Sequence, residues 1–450
     1  MDNRLTDCFI ERLFNLKESG IPDRVILQAK KCVLDYLGVT LAGAKMLEAQ
    51  GGRYLDSLKA TKGTSTVIAF ERKADIYSSI LINGLSAHAT ELDDGHRFGM
   101  LHLGSPIITA LFSTAELENS SGAELLHGII VGYEAAIRLA CSVQPSHKEK
   151  GYHTTGTCGT IGASLGIATA LGYTREQTKS ALSAAVTSAA GVLGIQDDGS
   201  ELKPYNAGRA ALDGFVSAFV ARVGFQGPDD ILGGKRGFLS IMSDRNTPSL
   251  LVKSVDNSFG IEGVYMKPYA SCRHSHPGIE AAIRLVANYS IRLDSIREIN
   301  IRTYKAAVDG HDHVRIQGIN SAKMSIPYSV AVALKTGKAG ISEFSYDHIT
   351  DQDIISLMAK VNVRIDAELT LLAPKKRAAI VEILTFDNKF YSEQIDYPKG
   401  EPENPMSLKD VEEKFVALAM YSGKTSKEAE LVVQKVWNLE EDLFDLFNVL

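Results

Sequence analysis

Residues 154–174 read TTGTCGTIGASLGIATALGYT. No charge interrupts this run, and its length would cross a bilayer. Its threonines, serine and glycines make it too polar for lipid. The spacing therefore reads as a buried helix packed closely through small residues, and no membrane span is expected. The Ala- and Gly-rich texture continues through 159–194 and lets helix axes approach. Upstream, PDRVILQAKKCVLDYLG (22–38) carries apolar residues at i, i+3, i+4 spacing, with Pro22 suited to the first turn and Gly38 to the stop. Thr174–Gln177 forms a capping-box pattern ahead of another helical run. Few segments before residue 265 alternate with period two.

Beyond 265 the pattern changes. REINIRTYKAAV (297–308), KVNVRIDAEL (360–369) and AAIVEILTFDNKFYSEQI (378–395) alternate as strands do, with Asp387–Asn388 as a hairpin turn. SIPYSVAVALKTG (325–337) and TDQDIISLMAKV (350–361) read as helices between them, the second capped by Thr350 or Asp351. EPENPMS near 400 is a loop, after which helices return, one opened by a Thr425–Glu428 capping box. The expected fold is mainly α. A helical domain over 1–265 is completed by 400–450, and a smaller α+β domain covers 266–399.

The 450 residues are 45% hydrophobic and 23% charged, an ordinary globular balance. A net charge of −6 argues against nucleic acid as a partner. Five scattered cysteines without a CxxC pair read as reduced thiols of a cytosolic protein and give no zinc or iron–sulfur signature. The N-terminal MDNRLTDCFIERLF lacks the apolar core of a signal peptide.

Four stretches carry chemistry. HATELDDGHRFGMLHLGSP (88–106) holds Glu91, Asp93, Asp94, His96 and His102. KGYHTTGTCG (150–159) holds His153, and LKPYNAGRAA (202–211) holds Lys203. MKPYASCRHSHPG (266–278) holds Lys267, Arg273, His274 and His276 and no acid. A weaker fifth, KMSIPYSVA (323–331), places Tyr328 at a helix start.

A cationic strip where one domain gives way to another favours a carboxylate ligand, and clefts between domains are preferred ligand sites. No P-loop or GxGxxG accompanies it, so nucleotide phosphate is not indicated. A carboxylate held among cations has acidified α protons. An Asp or His then serves as base, and a Lys or His steadies the enolate-like charge. Dehydration, decarboxylation and epimerisation all share that intermediate.

Bland readings stand beside each piece. Asp93–Asp94–Gly95 is a common turn, His153 serves equally as a helix start, and Tyr328 as core. Cys272 reads as buried and inert, having no identifiable partner, although Arg273 and His274 could lower its pKa, and the HDH at 311–313 reads as surface. A metal-dependent hydrolase on His96 and His102 with Asp93 or Asp94, or on His274 and His276, matches no HExxH or related helix pattern. A non-catalytic carboxylate binder is a third class.

At these residues the chain resembles the MmgE/PrpD family, which includes 2-methylcitrate dehydratase, cis-aconitate decarboxylase and iminodisuccinate epimerase. Four stretches match in order: HATELDDGHRFGMLHLGSP, GYHTTGTCGTIGAS, LKPYNAGRAA and MKPYASCRHSHPGIEAA. The resemblance implies a large all-helical domain, a smaller α+β lid domain, a homodimer, and a lyase that uses no metal or other cofactor on a small polycarboxylate. It makes Asp93, His102, His153, Lys203 and Lys267 the catalytic candidates. Glu91, Asp94, His96, Arg273, His274 and Tyr328 become the substrate-binding candidates. Dehydration of a hydroxy-polycarboxylate is the leading reaction. Departures from the family pattern bear on substrate choice: Glu91-Leu92-Asp93-Asp94-Gly95 stands for Asp-Phe-Asp-Asp-Thr, and Leu103 for a proline.

Overall fold

The computed structural model describes residues 4–18, 20–59, 63–70, 72–253 and 258–450. It divides into two compact units, Met1–Tyr265 with Ser407–Leu450, and Met266–Met406.

The first unit is built on the stretch that opened the sequence. Helix Thr154–Ala170 buries every residue but Thr169, and its main neighbour is helix Gly122–Val143. Glycines set how near the two lie. A Cβ on Gly132 would sit 2.8 Å from the Gly162 carbonyl oxygen, and one on Gly162 would sit 2.8 Å from that of Gly132. Gly128 and Gly166 repeat the relation one turn on. Gly132→Ala must therefore push two backbones apart. The expected loss is about 1–3 kcal/mol, the usual cost of overpacking, measurable by urea unfolding. Helix Gly122–Val143 is also the one helix among the described residues long and apolar enough to cross a membrane, but 89% of its apolar window is buried inside the protein, as in a core helix.

Two expectations need correction. Helix Asp23–Met46 does not stop at Gly38 but runs on for another two turns. Gly38 is a packing residue: its missing Cβ would lie 3.3 Å from the side chains of Phe415 and Leu418. The helical unit is also not wholly helical. Ser65–Val67 and Arg72–Ala74 pair as antiparallel strands. Asn83 locks them from the neighbouring helix, accepting from the Ile68 N–H at 2.9 Å and donating to the Thr66 carbonyl at 3.0 Å. Three-residue strands are too short to show an alternation.

The capping boxes at Thr174–Gln177 and Thr425–Glu428 are both present, and others form at Ser121–Glu124 and Ser407–Asp410. The last opens helix Leu408–Tyr421, whose Lys414 meets Asp35 at 2.5 Å and the Leu92 carbonyl at 2.8 Å. This C-terminal helix thus buttresses the loop that carries Asp93 and Asp94.

The second unit holds a four-stranded sheet in the order Val361–Ile365, Ile296–Thr303, Ala379–Thr385, Phe390–Ile395. The first pair is parallel and the other two are antiparallel. Ala379–Thr385 alternates strictly between buried and half-buried residues, the signature of one covered face. The Asp387–Asn388 turn forms, with Asn388 at φ 61°. Helix Ile326–Thr336 is capped by the Ser325 hydroxyl and ends at left-handed Gly337. Helix Gln352–Met358 is capped by Asp351 rather than Thr350.

Candidate active site

The first unit gathers its titratable groups where helices begin and end. Helix Ile76–Ala89 delivers His88 in its last turn. The chain then reverses through Glu91, a non-glycine residue at φ 60°, a costly conformation that clusters at functional sites. The following loop carries Asp93, Asp94 and His102 into the start of helix Gly104–Glu118. Asp94 caps that start: its Oδ1 accepts the N–H groups of Leu103 at 3.2 Å and Gly104 at 2.9 Å. The Tyr133 hydroxyl donates to Oδ2 at 2.7 Å. Asp93 Oδ2 accepts from His88 Nδ1 at 2.7 Å and the Ser105 hydroxyl at 2.9 Å, and lies 3.3 Å from His102 Nδ1.

These contacts fix the proton on His102. Its Nδ1 is 2.7 Å from the Asp94 carbonyl oxygen, which can only accept. Nδ1 therefore carries a hydrogen, so in the neutral ring Nε2 presents the lone pair. The His102 backbone N–H is tied to the Thr155 hydroxyl at 3.0 Å. His153, just ahead of helix Thr154–Ala170, is fixed the other way. The Asn206 amide N–H donates to its Nδ1 at 3.0 Å, so a neutral His153 carries its hydrogen on Nε2. Burial holds His153 well below its ordinary pKa, and His88, Lys203 and His102 push the same way. His88 lies 4.8 Å from His102 and 6.3 Å from His153 between ring centroids. Lys203 opens helix Lys203–Arg222 one turn before Asn206 and pairs with Glu91.

Burial raises the Asp94 carboxyl to about 7, against the opposing pull of the Gly104 N–H. The consequence for stability has a definite sign. Unfolded Asp94 loses its proton near 3.8 and the folded one near 7. Between those values the folded state binds more protons, so stability falls as pH rises through the window. His153 acts oppositely below its ordinary 6.5, where the unfolded ring takes up a proton first. Asp94→Asn removes only the first effect. The variant should gain stability relative to the parent as pH rises from 4 to 7, in urea unfolding run across that range; a constant difference would mean that Asp94 stays charged.

Glu91, Asp93, Asp94, His102, His153 and Lys203 are thus brought together. His96 is not: its Nδ1 accepts the Gly99 N–H at 3.1 Å and closes its own loop. Reading the sequence alone missed His88, Ser105, Tyr133 and Asn206. Asn206 was traceable, being one helical turn from Lys203. Tyr133 left no signal.

In the second unit Lys267 is buried. Arg273 is also buried, and its Nε meets Glu401 at 2.5 Å. Its guanidinium is thus paired, through Nε and Nη2, with an acid of the same unit. His274 Nδ1 meets the Tyr304 hydroxyl at 2.5 Å. Its sequence neighbour His276 turns away to the Ser271 carbonyl at 3.3 Å, so HxH is not a ligand pair. Tyr328 is buried and donates its hydroxyl to the Glu343 carbonyl at 2.8 Å, as a core tyrosine does. Two further readings are corrected. Cys272 has a partner, His311 Nε2 at 3.4 Å, and His311 is accordingly not a free surface residue.

Two groups of three donors have ligand atoms within 4.8 Å of one another: His88, Asp93 and His102, and Cys272, His274 and His311. In the first group the hydrogen bonds among the three account for the geometry.

The MmgE/PrpD N-terminal domain matches residues 11–251 and the MmgE/PrpD C-terminal domain matches 269–439. The chain belongs to the MmgE/PrpD family, as the four motifs implied. Among curated proteins, the cis-aconitate decarboxylase-like protein oryM of Aspergillus oryzae is 27% identical over 430 residues, 90% of this chain and 88% of that protein. The cis-aconitate decarboxylase of Aspergillus terreus is 25% identical over 438 residues, 90% and 87% of the two chains. The human cis-aconitate decarboxylase is 24% identical over 452 residues, 97% and 92%.

Proposed function

We propose that the protein is a lyase that moves a proton next to a carboxylate of a small polycarboxylic acid. The observation that carries this reading is the pair of Nδ1 contacts, to the Asp94 carbonyl on His102 and to the Asn206 amide on His153, which set opposite tautomers in the neutral rings. Nε2 of His102 offers a lone pair to a substrate proton, and Asp93 stabilises the imidazolium that forms. Nε2–H of His153 offers a neutral hydrogen bond to the charge that develops. Lys203 is assigned a substrate carboxylate, for which a charge-assisted hydrogen bond is the strong contact.

Loss of water is the leading reaction. His102 takes the α proton and returns it to the departing hydroxyl, which leaves as water and restores the neutral ring. Loss of carbon dioxide is the second reading, favoured by the names of the relatives. There the same donors stabilise the carbanion left behind, which then takes up a proton.

A panel of di- and tricarboxylates, including 2-methylcitrate and cis-aconitate, incubated in heavy water separates these outcomes by NMR. New olefin without carbon dioxide, with deuterium washed into the α position of the recovered acid, supports dehydration. Carbon dioxide with deuterium at the vacated carbon supports decarboxylation. Binding without exchange or turnover would refute the lyase.

A further inference from the structure

We propose that Cys272 and His311 form a thiolate–imidazolium pair that reacts with small anionic carbon electrophiles. The pair stands on contacts within the second unit. Cys272 Sγ lies 3.4 Å from His311 Nε2. The opposite nitrogen, Nδ1, is 2.9 Å from the Asp309 carbonyl oxygen, which can only accept. Nδ1 therefore keeps its hydrogen, and Nε2 is the nitrogen able to take the thiol proton. This places the proton between sulfur and Nε2, as in other histidine-activated thiols.

The surroundings favour the charged pair. Cys272 is half-buried as a residue. Lys267 acts on the same sulfur through its charge, and the His274 backbone N–H donates to it. The His274 ring is turned to Tyr304, Arg273 is paired with Glu401, and Lys323 contributes its backbone carbonyl to the Cys272 N–H. Burial raises the thiol, yet His311 first, then the His274 N–H and Lys267, outweigh it and leave it at about 7. Burial instead pushes Cys141 and Cys158 up to about 12. A dication bound by Cys272, His274 and His311 would have to sit beside the Lys267 ammonium, whereas a thiolate gains from it. The same ammonium draws an electrophile that carries a carboxylate. In the reaction the sulfur lone pair forms the S–C bond as the carbon–halogen bond breaks, and halide leaves without a proton being needed.

The test is peptide mapping of the native chain after limiting treatment with iodoacetate or iodoacetamide across pH 5–9. Cys272 labelling should reach half its maximal rate near pH 7, about 1.5 units below an ordinary thiol. Iodoacetate should outpace iodoacetamide at Cys272 and not at Cys8. His311→Gln should move the midpoint upward, and Lys267→Met should reverse the reagent preference. An ordinary midpoint, no labelling of native Cys272, or equal reagent preference at Cys272 and Cys8 would overturn the proposal. The reagent comparison on the unaltered chain keeps it decidable if a variant fails to fold.

Discussion

Replacing His102 by glutamine should lower turnover about 10²- to 10⁴-fold, the contribution of a positioned acid–base group, while leaving the fold intact. Glutamine can still donate to the Asp94 carbonyl, so the loop keeps its anchor. What is lost is a titratable lone pair at the Nε2 position. The loss should fall on kcat, since the ring binds a proton in flight rather than a carboxylate. Lys203→Met should differ, raising KM as well, because its ammonium is assigned to ground-state binding. Steady-state kinetics on whichever acid the NMR screen identifies decides between them. If His102→Gln kept more than about a tenth of the parental kcat, the acid–base assignment would fail.

The second large effect is structural. Glu401→Gln should destabilise the second unit by about 3–5 kcal/mol, the cost of leaving one member of a buried ion pair uncompensated. Arg273 and Glu401 are 6% and 1% exposed at their side chains, so water cannot substitute. Replacing both at once, Arg273→Met with Glu401→Leu, should recover most of that loss, since well-packed apolar residues often equal a buried pair. Hydrogen exchange at strand Ala379–Thr385 reports the opening free energy of this unit in each variant. A single Glu401→Gln change that left exchange unaltered would release Arg273 from its structural role.

Local signals in the sequence were dependable where one segment decides its own geometry. The hydroxyls of Thr174 and Thr425 cap their helices with residues three positions ahead, and the small-residue run 154–170 declared a buried helix. The failures share a cause: the deciding partner is distant in sequence. Gly38 looked like a stop because Phe415 and Leu418, which it admits, lie on a helix near the other end of the chain. Nothing local shows that Arg273 pairs with Glu401, 128 residues away. His88 and His96 stand in the same motif, and nothing local shows that His88 meets Asp93 while His96 closes a turn. Motif composition therefore located the first-unit cluster, and tertiary packing chose its members.

The opposite tautomers of His102 and His153 are the foundation of the proposed chemistry, and imidazole ¹⁵N–¹H correlation spectra of the chain at pH 7 observe them directly, with His102→Gln and His153→Gln supplying the assignments. The expected spectrum shows His102 protonated at Nδ1 with a bare Nε2, and a neutral His153 protonated at Nε2. A His153 ring charged at that pH, or a His102 ring carrying its hydrogen on Nε2, would contradict the account.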